Sequence, residues 1–236
     1  MRLVVLQSNY VPWKGYFDLL GKADLFVIYD SVQYTKNDWR NRNFLLSPQG
    51  RTWLTIPVQT SGKFGQPINE VTVLGGHWSK KHWKTISQQL QNRPYFSMYA
   101  EEWSNLYLQC ANHTLLHDVN TSFLKLLSKQ LGLTTPMVDD REFVLNSDDP
   151  SSRLVELCRS TGADTYLTGP AGLNYLDINL FVAAGIAVEL IDYSKYRPYL
   201  QGKAFIGHAV SVLDLLASVG PDARSHLNGE IQRMDR

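Results

Sequence analysis

The chain has 236 residues, 44% hydrophobic and 19% charged, with 23 basic against 22 acidic side chains and a formal net charge of +1. That length suits one large domain or two small ones, and we expect one compact unit with a buried core. Balanced charge excludes a global field drawing the protein onto nucleic acid or an anionic membrane, so any anion site must be local.

Two cysteines, Cys110 and Cys158, lie far apart in apolar helical patterns. They argue against a disulfide framework and for a reducing compartment. The apolar run before Gln7 is too short for a signal peptide, and no segment approaches the roughly 20 apolar residues of a membrane helix. A cytoplasmic location without a membrane span is expected.

"RLVVL" and "ADLFVIYD" read as buried strands. Between them "WKGYFDLLGKA" sets Tyr16, Leu19, Leu20 and Ala23 at helical spacing. Strand, helix, strand favours a parallel sheet with a right-handed crossover. "TWLTIPVQ" is a third strand, kept to an edge or an end by Pro57, and "INEVTVLG" a fourth, closed by Gly75 and Gly76. Helices follow: "SKKHWKTISQQLQ" from a Ser79 cap, then two between Glu101 and Leu131, parted near His117 to Thr121, with Gly132 at the end. "TTPMVDD" is a strand, and Ser151 or Ser152 caps the helix "RLVELCRSTG". "ADTYLTG" and "IAVELIDY" are strands flanking a helix in "YLDINLFVAAG" that ends at Gly185. The polar segment from Gly220 should fray. The expected architecture is one α/β domain over residues 1–220 with a Rossmann-like, mostly parallel sheet, of which a nucleotidylyltransferase-like form is one option. A helical insertion at about residues 78–132 and a polar tail over residues 221–236 complete it.

Residues 6–43 interleave two tryptophans, four tyrosines, two phenylalanines, four asparagines and two glutamines, a mixture that suits a binding wall. Pro12-Trp13-Lys14-Gly15-Tyr16 follows the first strand and opens a helix, where backbone N–H groups and the helix dipole bind phosphate. Gly15 would admit a close ligand. The segment is similar, position for position, to the His-x-Gly-His signature of nucleotidylyltransferases, with Trp13 and Tyr16 in place of the histidines, which changes the donors on offer. Asp30 ends the second strand, where open sheets place ligands; as a turn-forming cap it is equally well explained. Gln33, Tyr34 and Lys36 follow, then Trp39-Arg40-Asn41-Arg42-Asn43. Fork, amide and ring together fit a polar, ringed, anionic ligand such as a nucleotide or nucleotide-sugar, against the plainer reading of a solvated loop.

Lys80, Lys81 and His82 are placed in the first turn of a helix, against its dipole. Either an anion lies nearby or the face is simply solvated; His82 offers acid/base chemistry near neutrality. Thr168-Gly169-Pro170-Ala171-Gly172 has the position of a phosphate loop, although Pro170 lacks an N–H, and Tyr175 and Asp177 follow it. His113 and His117 are four apart without a third ligand at matching spacing, so no metal site is expected. Nucleophile-elbow, dinucleotide and Walker patterns are not found.

These residues, with "GADTYLTGPAGLNYLD" and "FVAAGIAVELIDY", resemble the WbqC-like family over essentially the whole chain to about Gly220. The resemblance implies an association with surface polysaccharide genes, O-antigen and lipopolysaccharide biosynthesis, and a glycyl or more generally aminoacyl transferase role. It marks Gln7, Asn9, Tyr10, Pro12, Trp13, Gly15, Tyr16 and Phe17, then Asp30, Gln33, Tyr34, Lys36, Trp39, Asn41, Arg42 and Asn43. Later it marks His82, Thr168, Gly169, Tyr175, Asp177, Gly185, Ser211 and Asp214. Ser8 stands where proline is usual, Leu173 where lysine is common and Thr168 where serine is typical. If that lysine binds phosphate or activates an amine in relatives, this protein must use another cation or another substrate.

The reading that follows is acyl or aminoacyl transfer to the amino group of a nucleotide-linked amino sugar. In it Trp13, Tyr16 and Trp39 stack on rings, Lys36 and Arg42 hold phosphate, Asn41 and Asn43 read hydroxyls, and Asp30 or His82 removes the amine proton. The partner is a small phosphorylated molecule, with charged tRNA the least favoured donor. Two alternatives stand: an ATP-dependent adenylate-forming ligase or nucleotidyltransferase, with ATP as cofactor, and a non-catalytic nucleotide-sugar binding protein.

Overall fold

A computed structural model describes residues 1–47 and 50–234. Its strands are β1 (Arg2–Leu6), β2 (Leu25–Ile28), β3 (Arg42–Ser47), β4 (Gly50–Thr55), β5 (Met137–Asp139), β6 (Thr165–Thr168), β7 (Ala187–Asp192) and β8 (Glu230–Arg233). Its helices are α1 (Lys14–Lys22), α2 (His77–Leu90), α3 (Phe96–Cys110), α4 (Leu116–Gln130), α5 (Pro150–Thr161), α6 (Ile178–Ala183) and α7 (Val212–Val219).

β1 and β2 are continuous apolar runs, and such strands are stable only when both sheet faces are covered. Val4 of β1 joins the core built with α1, α4 and α7, while its neighbours Leu3 and Val5 join the core built with α5 and α6. This is the period-two alternation of a strand. The sheet runs β5-β2-β1-β6-β7-β8, parallel except for β8, which pairs antiparallel with β7. It is a Rossmann-like α/β fold, as the sequence predicts. The chain moves outward from β1 through β2 to β5 and then returns to β6 on the other side. The switch point therefore lies between β1 and β6, and sheets of this kind bind ligands outside the strand ends there.

Several local expectations are corrected. The insertion between β2 and β5 carries α2, α3 and α4 as predicted, but α3 and α4 part at residues 111–115, which puts His113 in the turn and His117 on α4. α2 starts at His77 after Gly76, so Lys81 and His82 fall in its second turn, and the Ser79 hydroxyl instead donates to the Tyr107 carbonyl. Asp149, not Ser151 or Ser152, caps α5, accepting from Ser152 N at 2.7 Å with Pro150 in the first turn. "INEVTVLG" makes a 3-10 turn at Ile68–Glu70 and two single bridges, Thr72 to Leu115 and Val58 to Val73. Its backbone groups are shared among different neighbours, so no ladder forms.

Arg42 and Asn43, read as part of a binding segment with a solvated loop as the alternative, open the β3–β4 hairpin. The segment after Gly220, expected to fray, forms a 3-10 turn at Gly220–His226 that buries Ala223 and His226, followed by β8. Residues 235–236 of that tail lie outside the described residues. Cys110 and Cys158 are free and buried, and burial pushes both thiols up to about 12. Among the described residues no helix is long and apolar enough to cross a membrane.

Candidate functional site

The chain leaving β1 has no ladder to satisfy its backbone, and Asp30 at the end of β2 takes that role. Its fully buried carboxylate accepts from Ser8 N at 2.8 Å and Ser8 Oγ at 2.6 Å, and lies 2.8 Å from His117 Nδ1 of α4. A buried carboxyl group requires such partners. On its other side His117 Nε2 is 3.2 Å from Asp139 Oδ2 and 3.3 Å from Arg141 Nη2. Burial alone would lower the His117 pKa. The hydrogen bond and charge of Asp30, with the charge of Asp139, outweigh it and hold the imidazole above its ordinary value. Asn120 of α4 completes the knot, donating to Ser8 Oγ at 3.0 Å and to the Arg40 carbonyl at 2.9 Å.

Two cavities flank this anchored loop. Outside the ends of β1, β2 and β6 lies one of about 580 Å³, whose lining includes Gln7, Tyr29, Ser31, Gln33, Arg153 and Tyr175. Arg153 of α5 donates through Nε to Tyr29 OH at 2.8 Å and through Nη2 to Ser31 Oγ at 3.0 Å. The other is a slot of about 270 Å³ lined by Asn9, Pro12, Trp13, Trp39, Asn43 and Ala209. Arg40 joins them, donating to Gln7 Oε1 of the larger cavity and to Asn9 Oδ1 of the slot. Its side chain is only 13% exposed. Burial lowers its pKa and the Asp38 charge opposes that, and a guanidinium remains cationic under such shifts.

The sequence-predicted residues divide by place. Gln7, Gln33 and Tyr175 meet in the larger cavity, and Asn9, Trp13, Trp39 and Asn43 in the slot. Asn43 commits its amide to the Val11 carbonyl at 2.9 Å and its oxygen to Phe44 N at 2.8 Å; Asn41 donates to the Ile56 carbonyl at 2.8 Å. Both are buried, so they shape the walls through the backbone. Gly15 makes room for the Trp13 indole, which a Cβ there would overlap. Tyr16 is buried and donates to the Gln7 carbonyl at 3.1 Å. Tyr34 and Thr168 are buried, Gly169 lies under Tyr193, and Asp177 caps α6.

Tyr10 OH bonds His82 Nδ1 at 2.9 Å and Tyr107 OH at 2.7 Å inside the core. Burial lowers the His82 pKa to about 4. His82 lines a further cavity with Trp53, Leu74 and Lys81, away from both compartments. Arg42 lies over the Trp53 ring at 4.5 Å, and Lys36 is exposed; neither lines a compartment.

Ser8, Arg40, His117, Asn120 and Arg153 are not among the site residues predicted from the sequence: Ser8 enters only as a departure from the family pattern and His117 only as half of a histidine pair and as a helix boundary. Arg40 sits inside the Trp39 to Asn43 run, which is a local signal. The link of His117 to Asp30 and those of Arg153 to Tyr29 and Ser31 carry none, because these partners are 87, 124 and 122 residues distant. Among the described residues no group of three or more His, Cys, Asp or Glu side chains is disposed to hold a metal.

The fold and this divided cleft define a Rossmann-like α/β protein with a candidate ligand site at the switch point of its sheet. The chain belongs to the WbqC-like protein family, whose model matches residues 7–226. It is similar to the uncharacterized protein Rv1507c of Mycobacterium tuberculosis (strain ATCC 25618 / H37Rv), 38% identical over 226 residues that cover 96% of this chain and 97% of that protein. No solved structure matches.

Proposed function

We propose that the cleft carries transfer of an acyl or aminoacyl group, glycyl among them, to the amino group of a nucleotide-linked amino sugar in surface polysaccharide synthesis. The observation that carries this reading is Arg40, which bonds one residue of each compartment. A two-substrate transfer needs two compartments that meet. The small slot between the Trp13 and Trp39 rings takes a sugar ring, and the larger cavity takes the donor.

As the amine nitrogen forms its bond to the carbonyl carbon, negative charge gathers on the carbonyl oxygen. A fixed, partly desolvated guanidinium at the junction stabilises that charge. The bond to the leaving group then breaks, and the leaving group departs with the electron pair. The amine proton passes to a carboxylate, as amine attack requires. Asp38, 3.5 Å from Arg40 Nη2, is the carboxylate beside that guanidinium; Asp30 acts as a positioning residue through Ser8 and His117, and His82 stands apart from the chemistry.

A second reading, an ATP-dependent adenylate-forming ligase or nucleotidyltransferase, draws on the strand order and on the loop that runs from β1 into α1. Thermal shifts against ATP, other nucleotides, amino acids and nucleotide-linked amino sugars separate the two, with Trp39→Ala and Arg40→Met alongside. Stabilisation by an amino sugar nucleotide that Trp39→Ala removes, with turnover lost in Arg40→Met, supports transfer. Stabilisation by ATP alone, with pyrophosphate release, replaces it with the ligase. Tight binding of the amino sugar nucleotide without turnover toward any acyl donor leaves the protein a non-catalytic binder.

A further inference from the structure

Another cavity, of about 670 Å³, lies where the turn between α2 and α3 meets the loop over residues 198–203 and the 3-10 turn after α7. It shares no lining residue with either compartment of the cleft. Pro94, Pro198, Leu200 and Val219 give it apolar walls, while Arg93, Lys203 and His226 are its cationic or protonatable lining.

Two of those side chains are about nine-tenths buried and incompletely matched. Arg93, 10% exposed, gives Nη2 to Asp214 at 3.0 Å, yet its Nε has no hydrogen-bond partner among the described residues. His226, 9% exposed, has no side-chain partner at Nδ1 among the described residues; a backbone hydrogen bond with Arg197 and the Asp222 carboxylate, 3.9 Å from Nε2, are its polar contacts. Buried polar atoms are nearly always paired. Both side chains line this cavity from separate elements, and neither has its full complement of hydrogen-bond partners within the protein.

The surrounding charges set its sign. Asp214 offsets Arg93, which leaves Lys203 on the rim and Lys14 and Arg197 behind. Lys14 Nζ sits 4.0 Å from the centre of the Tyr196 ring and 5.8 Å from that of Tyr199, and Tyr199 itself lines the cavity. Burial lowers the Lys14 pKa to about 8. Burial also lowers His226, with Lys14 and Arg197 acting in the same direction, while a backbone hydrogen bond and Asp222 oppose them. His208 and Tyr199 are further ionisable neighbours of His226. The field around the imidazole is positive overall.

We propose that this cavity is a second binding site, for a phosphate-type oxyanion carried on an apolar body. Lys203, His226 and Arg93 grip the head, and Pro94, Pro198 and Leu200 hold the body. An anion stabilises the imidazolium form, so affinity rises as the pH falls.

Calorimetric titration of the full chain with inorganic sulfate and with octyl sulfate, whose charges do not change between pH 6 and pH 8, tests this at both pH values. Octyl sulfate is expected to bind more tightly than inorganic sulfate, and more tightly at pH 6. Lys203→Glu, an exposed change that leaves the core intact, should weaken it about tenfold, and His226→Gln should reduce the pH dependence, the remainder coming from Lys14. The proposal is overturned by octyl sulfate failing to bind the wild type, by equal affinity for the two probes, or by unchanged affinity in Lys203→Glu. The site does not depend on the transfer reading, and neither result bears on Arg40.

Discussion

Asp30 has no exposed surface, and Ser8 and His117 hold all its described side-chain contacts. Asp30→Asn puts an amide NH2 among donors and leaves at least one of them without an acceptor. Loss of one partner in a buried charged network costs about 3 kcal/mol, so urea unfolding should show a fall of that order. His117 gives the network a pH dependence. Its folded pKa is raised, so its contribution to stability is fully present below the unfolded value of about 6.5 and is lost as pH rises through the folded one. The stability gap between wild type and His117→Gln should therefore be widest near pH 6 and shrink toward about pH 9. A gap that widens across this range would refute the assignment of the imidazole between Asp30 and Asp139.

At the scale of elements, the sequence was most informative where a pattern is long and least where one hydrogen bond decides. β1, α1 and β2 follow from their apolar spacing alone. The α2 and α5 starts do not, because Ser79, Ser151 and Ser152 are all good caps by type. Asp149 precedes Pro150, which fits the first turn with its missing N–H, and so it takes the cap. Asp149→Ala should remove this cap and destabilise α5, measured as a lower melting temperature. The compartments were half legible for a similar reason. Trp13, Trp39, Asn9 and Gln7 stand in one dense segment, but Arg153 and His117 come from distant helices whose docking no local spacing encodes.

Across the whole molecule, the predicted Rossmann-like sheet was readable because parallel buried strands leave strong apolar runs. β8 was not, since Glu230–Arg233 is polar and pairs along one edge only. That strand matters out of proportion to its composition. It covers the β7 edge, while Gly229 N, just before it, donates to the buried Asp18 at 2.7 Å. Ending the chain after Asn228 would bare a sheet edge, a template for self-association. Light scattering should detect larger species, together with a lower melting temperature.

The Ser8–Asp30–His117 tie also bears on the order of assembly. Its links span 22 and 87 residues, and long closures come late because their entropy cost precedes their reward. The loop after β1 is therefore a latecomer relative to the helices, whose hydrogen bonds are local and take shape before the binding wall is set. In refolding, the environment of Trp39 should be acquired after most of the far-ultraviolet dichroism, so a nascent or partly unfolded chain would be folded in outline yet blind to its ligand.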